Sequence, residues 1–565
     1  MTTDTSALAP VPGGHPEGMT LLFDDLEPAQ RGKKMTIRAK RTPSHYQQAV
    51  LDDISAGVQA VLVSATAGSG KTSLLEMIAT HLKGQALLPK GAKVGFLSYN
   101  QHIAKALRQV IPPEFDVRTV NSLGDQIIRL NLAGTKFEPE KYRQIVQGVV
   151  DGAGIASPAA RRELRERLTS TVELHVGHDL GLRPDFAQWV EVMLEVDAPI
   201  MGAEDALYRF TSKVLREGLV ALRDAHVRSF LDQVLAPSVF GWTLPQPYDF
   251  LLVDELQDLS RGQLNLMQAA TSTHSRVVGV GDRHQSLYAF NGADTQSLPR
   301  FTALFGAVER PLSITYRCPR KHVALARHYT DAIEAAPQAQ EGLLEDLSSE
   351  QFVDLVRPGD LVLCRTNAPL VEWCYRLIAE RKPAMVRGRD LAKTLVAFAR
   401  DAATFNGTKP CREKLQDRLP VNTPAFLAQL NAYAEVLAQK YTREAERDGK
   451  EPDMRIAALA DRIQAVLLVL EKSGAQTLND LVEAIRLLCA GDPERSIVLT
   501  TVHGAKGLEA KRVFIVEPDL LPHPKATSAQ AQETERCVQF VAFTRAKEAL
   551  YFVDPSESRL PLAQG

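Results

Sequence analysis

A chain of 565 residues is too long to close around one hydrophobic core, so several domains are expected. Its 45% hydrophobic and 24% charged residues are ordinary for globular protein, and no apolar run reaches the 18 residues of a membrane span. The N-terminus lacks the pattern of a secretory signal, which makes the cytoplasm the expected compartment. The formal net charge of −2 neither demands nor excludes nucleic acid, because a protein that grips DNA in one groove needs only a local basic surface.

Residues 1–40 read as a disordered tail. Charges up to Glu27 are acidic, and a basic arm of Arg31, Lys33, Lys34, Arg38, Lys40 and Arg41 follows. Within it, Met19-Thr20-Leu21-Leu22-Phe23 faintly resembles a sliding-clamp docking peptide but lacks the leading Gln. From Thr42 the pattern becomes strand–helix alternation, with apolar runs at 61–63, 94–97, 250–253, 277–280, 361–363, 497–499 and 513–516. Such runs separated by helices indicate parallel α/β sheets. Two helix-rich stretches, 126–225 and 391–494, interrupt the alternation. In the second, Ile456, Leu459, Ile463, Val466, Leu467 and Leu470 recur at helical spacing until Gly474. The expected division is a first α/β domain over 41–125 and 226–300 and a second over 301–390 and 495–555. Each would carry one helical insertion, and 556–565 would be a short tail. The six cysteines are scattered without a C-x-x-C pair, so free thiols are expected rather than a zinc or iron–sulfur site.

Chemistry enters at Ala65-Thr66-Ala67-Gly68-Ser69-Gly70-Lys71-Thr72, between the first strand and its helix. Glycines let backbone N–H groups face a phosphate at a helix N-terminus. Lys71 would reach the β- and γ-phosphates, and the Thr72 hydroxyl would bind Mg²⁺. The strand 250–253 then runs into Asp254-Glu255-Leu256-Gln257-Asp258. Asp254 would hold Mg²⁺ through water, and Glu255 would orient and deprotonate the attacking water.

Asp-Glu-x-Gln-Asp resembles the hallmark of the UvrD/Rep-type superfamily 1 helicases, and further segments resemble that family's motifs in the same order, from Thr42 to Val553. The resemblance implies two RecA-like motor domains, with ATP and Mg²⁺ between them. Gln47, in Tyr46-Gln47-Gln48-Ala49-Val50, would read adenine, with Gln48 the competing neighbour. Gln285, in Gly281-Asp282-Arg283-His284-Gln285, would contact the γ-phosphate; beyond it, Tyr288 and Phe290 would stack on bases. Asn291 stands where the family has Arg. In Thr315-Tyr316-Arg317, Tyr316 would stack on adenine and Arg317 would reach the γ-phosphate. Arg365-Thr366-Asn367-Ala368 resembles a further segment. In Thr501-Val502-His503-Gly504-Ala505-Lys506-Gly507-Leu508-Glu509, Glu509 would take the ribose. Thr501, His503 and Lys506 would lie near the DNA backbone or the interdomain cleft. Arg545 would be the arginine finger. Tyr99 and Asn100, with Thr119 and Asn121, resemble two DNA-facing motifs of the first motor domain, Asn121 replacing a His. Phe230-Leu231-Asp232 also fits a family segment, with its role open.

The implied activity is a 3′→5′ DNA helicase acting on single strands and junctions in repair, replication or recombination, on the nucleoid. The alternative is a single-stranded-DNA-dependent translocase that strips proteins or needs a partner subunit to unwind. A fused nuclease is not expected after Arg545, and RNA remains a competing substrate.

Overall fold

The computed structural model describes residues 42–84, 87–195, 198, 200, 203–285, 296–387, 389–408, 410, 418–447 and 453–556. The basic arm, the clamp-like segment, Tyr288, Phe290 and Asn291 lie outside the described residues. Among those described, no helix is long and apolar enough to cross a membrane.

The first sheet contains β1 (Ala60–Ala65), β2 (Val94–Ser98), β3 (Asp116–Thr119), β4 (Phe250–Val253), β5 (Arg276–Gly281) and β6 (Val308–Leu312). They lie in the order β3-β2-β4-β5-β1-β6, all parallel. Alternate residues of β1 serve opposite faces. Val61 and Val63 pack with Val50, Ile78, Phe96 and Leu252, whereas Ala60 and Leu62 pack with Leu97, Leu251, Val253 and Phe301. Burial on both faces is why these strands read as unbroken apolar runs.

The second sheet contains β7 (Leu343–Leu347), β8 (Leu361–Cys364), β9 (Ala384–Val386), β10 (Ile497–Thr501), β11 (Ala510–Val516) and β12 (Ala546–Val553). Its order is β7-β12-β11-β8-β10-β9, again parallel throughout. The strands without an apolar signature are mostly at edges. There β6 tolerates Pro311, and β7 carries Glu345 and Asp346.

Between β3 and β4 the chain makes a helical insertion that includes Lys141–Asp151, Pro158–Gly177, Phe186–Glu195 and Glu204–Ala225. It has its own core around Val146, Leu168, Val172, Trp189, Leu215 and Leu219. Asp232, fully buried, roots it: its carboxylate accepts from Lys141 Nζ at 2.5 Å, Tyr142 Oη at 2.9 Å and Ser229 N at 2.6 Å. The segment Phe230-Leu231-Asp232 thus has a structural task. Between β9 and β10 the helices Arg389–Ala403, Pro424–Arg447, Asp453–Ser473 and Leu478–Leu488 form the second insertion. Its core is continuous with one face of the second sheet, joining Leu395, Phe398, Leu430, Val466 and Leu481 to Trp373, Ile497 and Phe514. The architecture is therefore α/β, with two RecA-like parallel sheets, each interrupted by helices.

Candidate active site between the two sheets

The carboxyl ends of parallel strands are where α/β sheets bind ligands, because loops and helix N-termini converge there. At the end of β1 the chain turns through Thr66–Gly70 into the helix Lys71–Gly84. Gly68 and Gly70 have φ of +70° and +83°, a region that side chains resist. Space forbids a side chain at Gly68 as well: a Cβ there would lie 2.5 Å from Arg317 Cβ. Ala65 is buried, and Ala67 packs in one cluster with Cys318 and Phe540, which come from the other half of the cleft. Thr66 Oγ1 and Ser69 Oγ are buried without a hydrogen-bond partner. Each such orphan costs about 1–3 kcal/mol, so a loop that keeps two of them at a helix N-terminus fits an oxygen-rich anion.

Lys71 Nζ lies 3.7 Å from Glu255 Oε1. Burial pulls the Lys71 pKa down, but Glu255, Asp282 and Asp254 outweigh it and hold the amine above its ordinary value. Thr72 follows on an exposed position of the same helix. Asp254 directly follows β4, its Oδ1 accepting from Glu255 N at 3.0 Å. Burial, together with the Glu255 charge, pushes its carboxyl up to about 7 against the pull of Lys71. A buried carboxylate with an exposed hydroxyl across the loop suits a hard divalent cation such as Mg²⁺, which binds oxygen ligands and water. For Glu255, burial acts upward, but Lys71, Lys506, the Gln257 amide and Arg545 together hold its pKa below the usual range.

Gln285 is buried and donates from Nε2 to Asp282 Oδ2 at 2.6 Å. Of the two adjacent glutamines near the start, Gln47 faces the phosphate loop, its Nε2 lying 3.3 Å from where a Gly70 Cβ would be. Its carbonyl caps its own helix through Ser44 N at 3.0 Å, whereas Gln48 binds Asp52 on the solvent side. Tyr316, 49% exposed, also lies beside Gly70, its Cδ2 3.8 Å from the same position, and offers an open aromatic face.

The second half of the molecule supplies the arginines. Arg317 Nε donates to Glu509 Oε2 at 2.7 Å, and Lys547 holds the other Glu509 oxygen. Glu509 is thus engaged by two cations. Arg545 is 1% exposed, and its guanidinium donates to Val541 O at 2.9 Å, Thr544 Oγ1 at 3.0 Å and Leu508 O at 3.4 Å. Burial and the neighbouring Arg317 charge pull its pKa down, while Asp282 and Glu255 act in the opposite sense.

The candidate strand-contacting residues sit at the carboxyl ends of β2, β3 and β10. Tyr99 is half-buried against the first sheet's core. Asn100 caps the helix Gln101–Leu107 through Ile103 N at 3.0 Å, and Thr119 caps Val120–Asn131 through Ser122 N at 3.1 Å. Asn121 Oδ1 accepts from Gln263 Nε2 at 2.8 Å. In the second sheet, Thr501 Oγ1 accepts from Gly504 N at 3.2 Å. Burial and the Arg365 charge pull the pKa of His503 down to about 4, so the imidazole is neutral at pH 7. Arg365 in turn forks onto Glu535 at 2.5–3.0 Å.

Three residues absent from the sequence-derived site belong beside it. Gln257 bridges Glu255 and Asp282, and Asp258 pairs with Lys506 at 2.6 Å across the cleft. Asp282 itself is fully buried. The signal for two of them was the Gln-Asp ending of the acidic motif, whose side chains carry polarity onto a buried turn.

Residues 227–306 match the UvrD/REP helicase N-terminal domain, and residues 324–556 match the UvrD-like helicase C-terminal domain. The chain is 24% identical over 408 residues to the ATP-dependent DNA helicase PcrA of Staphylococcus aureus (strain MRSA252), covering 55% of this chain and 56% of that protein. PcrA of Staphylococcus epidermidis is 24% identical over 416 residues, with the same shares. The chain therefore spans about half the length of the relatives it matches. With both domain matches falling in chain order on two parallel sheets, and Arg317 packed on the phosphate loop at Gly68, the chain belongs to the UvrD/Rep-type superfamily 1 helicases.

Proposed function

We propose that this chain is an ATP-driven motor that moves 3′→5′ along single-stranded DNA and separates duplex at single-strand/double-strand junctions in the cytoplasm. The observation that carries this reading is the cleft itself. Lys71, Asp254 and Glu255 come from the first sheet, Arg317 and Arg545 come from the second half, and Arg317 packs directly on Gly68.

Thr66, Ser69 and the loop N–H groups would cradle the β- and γ-phosphates of ATP, with Lys71 as their counter-charge. Gln47 and Tyr316 flank the loop where a base can be read by an amide and stacked on a ring. Thr72 and Asp254 would hold Mg²⁺, which when bound neutralises charge developing on the phosphate oxygens. Glu255, kept ionised by Lys71, Lys506 and Gln257, would take the proton of the attacking water. Gln285 would register the γ-phosphate through Asp282. Arg317 and Arg545 would stabilise the transferred group, an effect worth about 10³–10⁵ in rate in other NTPases. Because these arginines belong to the other half, hydrolysis requires a closed cleft. Opening and closing would then be read at the strand ends that carry Tyr99, Asn100, Thr119, Asn121, Thr501 and His503.

The test is ATP hydrolysis by the purified chain with and without a single-stranded DNA oligonucleotide, beside equal-length RNA and duplex DNA. Stimulation by single-stranded DNA alone is expected, followed by displacement of a strand from a 3′-tailed but not a 5′-tailed duplex. Hydrolysis indifferent to every nucleic acid would overturn the motor reading. DNA-stimulated hydrolysis without displacement would leave a translocase that needs a partner.

A further inference from the structure

We propose that Gln257 is a positioning residue for the catalytic base, fixing the Glu255 carboxylate by tying it to the strand that leads into Asp282. The inference rests on the ATPase reading of this cleft.

Glu255 sits at φ +53°, a left-handed conformation that a non-glycine residue adopts at a cost, so its own backbone does not hold it there cheaply. The next three residues, Leu256–Asp258, form a single tight helical turn. Gln257, 1% exposed, places both ends of its amide in use. Nε2 donates to Glu255 Oε2 at 2.5 Å, and Oε1 accepts from Asp282 N at 2.9 Å. A backbone N–H can only donate, so the oxygen of the amide must face Asp282 and its NH₂ must face Glu255. The orientation is therefore set by chemistry, and a flipped amide would oppose two acceptors and two donors.

The neighbouring strand is thinned to admit this turn. A Cβ on Gly281 would lie 3.0 Å from Gln257 Oε1, and one on Gly279 would lie 2.9 Å from Leu256 Cδ2. On its far side the turn is gripped from the other half, Asp258 accepting from Lys506 Nζ at 2.6 and 2.8 Å. The result is a division of labour within one carboxylate. Oε2 is held by Gln257, and Oε1, 3.7 Å from Lys71, is the oxygen left to meet the attacking water. Without Gln257, the base can rotate about its terminal torsion, which is broad for a carboxylate.

The experiment measures steady-state ATP hydrolysis with saturating single-stranded DNA for the wild type, Gln257→Ala, Glu255→Gln and the double variant, alongside titration with a fluorescent ADP analogue. Gln257→Ala is expected to lower kcat about 10²-fold, the scale of a misplaced catalytic group, with nucleotide affinity held to within about threefold. In the Glu255→Gln background the same change is expected to add no further loss, since no base remains to be positioned. Gln257→Met, which keeps the side chain's length without its amide, guards against a packing defect and is expected to show the same loss of kcat. Wild-type kcat in Gln257→Ala or Gln257→Met, or a full additional loss in the double variant, overturns the positioning role. A wild type that never hydrolyses ATP fails earlier and removes the ATPase reading together with it.

Discussion

The two rims of the cleft close their hydrogen bonds differently. On the phosphate-loop side, Thr66 Oγ1 and Ser69 Oγ are buried and unpartnered, and Lys71, Asp254, Glu255 and Asp282 crowd one low-dielectric space. On the rim proposed to face the DNA strand, Asn100 and Thr119 cap helices and Asn121 binds Gln263. A compact, highly charged ligand can supply what a buried site withholds, so its site stands out as a deficit. A polymer bound without regard to sequence is met through its phosphates and base faces, and groups that do so can serve the fold at the same time, exposed as Asn100 is or buried as Thr119 is.

The largest effects should follow from breaking the deficit side. Lys71→Ala and Glu255→Gln are each expected to reduce ATP hydrolysis more than about 10³-fold, since they remove the phosphate counter-charge and the base. Glu255→Gln should still bind ATP in a nucleotide titration; loss of binding there would contradict its assignment as base. Next comes Arg545→Ala, expected to slow turnover about 10³-fold while leaving ATP affinity largely intact. Unchanged turnover would remove the finger role and leave Arg545 as the buried strut that its bonds to Val541 and Leu508 describe.

A smaller effect is expected where the halves are joined. Asp258 and Lys506 have side chains 3% and 10% exposed, so Asp258→Ala takes from a buried ammonium the carboxylate that holds it at 2.6 and 2.8 Å. Breaking such a pair from one side costs about 3–5 kcal/mol, measurable by chemical denaturation. Lys506→Met leaves the buried Asp258 carboxylate in the same position and should cost a similar amount, whereas the double variant should cost less than the sum of the two; an additive double variant would place the cost elsewhere.

These contrasts mirror what the sequence made legible. The seven apolar runs at 61–63, 94–97, 250–253, 277–280, 361–363, 497–499 and 513–516 all fall in strands because both faces of those strands are covered. The strands β3, β6, β7 and β9 escaped notice because edge positions admit Asp116, Pro311, Glu345 or a run of only three residues. The interior strand β12 was hidden by Lys547 and Glu548 at its solvent-facing start. At the site, the sequence reading pointed to Lys71, Asp254 and Glu255 from the phosphate loop and the acidic strand end, and to Arg317 and Arg545 through the family resemblance, all of which the fold brings to one cleft. It assigned no role to Gln257 or Asp282, whose hydrogen bond to each other joins segments far apart in the chain. The tie of Glu509 to Arg317 and Lys547 was equally invisible, because ion pairs between distant segments leave no periodic trace.

The pH dependence separates the rims again. His503 titrates near 4 in the folded chain, below the 6.5 of an ordinary histidine, because burial and Arg365 disfavour its charge. Above pH 6.5 the imidazole is neutral both folded and unfolded, and its contribution to stability is complete. As the pH falls toward 4, the unfolded chain takes the proton first and stability drains away. Melting temperatures followed from pH 7 to pH 4 should therefore fall less steeply in His503→Gln than in the wild type. An equal slope would mean that the imidazole is more accessible than its surroundings imply. Affinity for single-stranded DNA between pH 6 and 8 should carry no titration from this residue.

The smallest effect tests the strand-facing rim most directly. Thr119→Ala removes the side-chain oxygen that accepts from Ser122 N, a helix cap worth about 1 kcal/mol, and the loss should register as a shift in denaturation midpoint. Thr119→Ser keeps the oxygen and should restore the midpoint. The cap uses one lone pair of a hydroxyl that also has a proton to donate, so the same atom can cap the helix and meet a phosphate. Single-stranded DNA affinity measured on all three proteins separates these tasks. Equal affinities would confine Thr119 to the cap. A loss in Thr119→Ala that Thr119→Ser recovers would show one oxygen serving fold and ligand at once, which is the condition that made this rim hard to read from sequence.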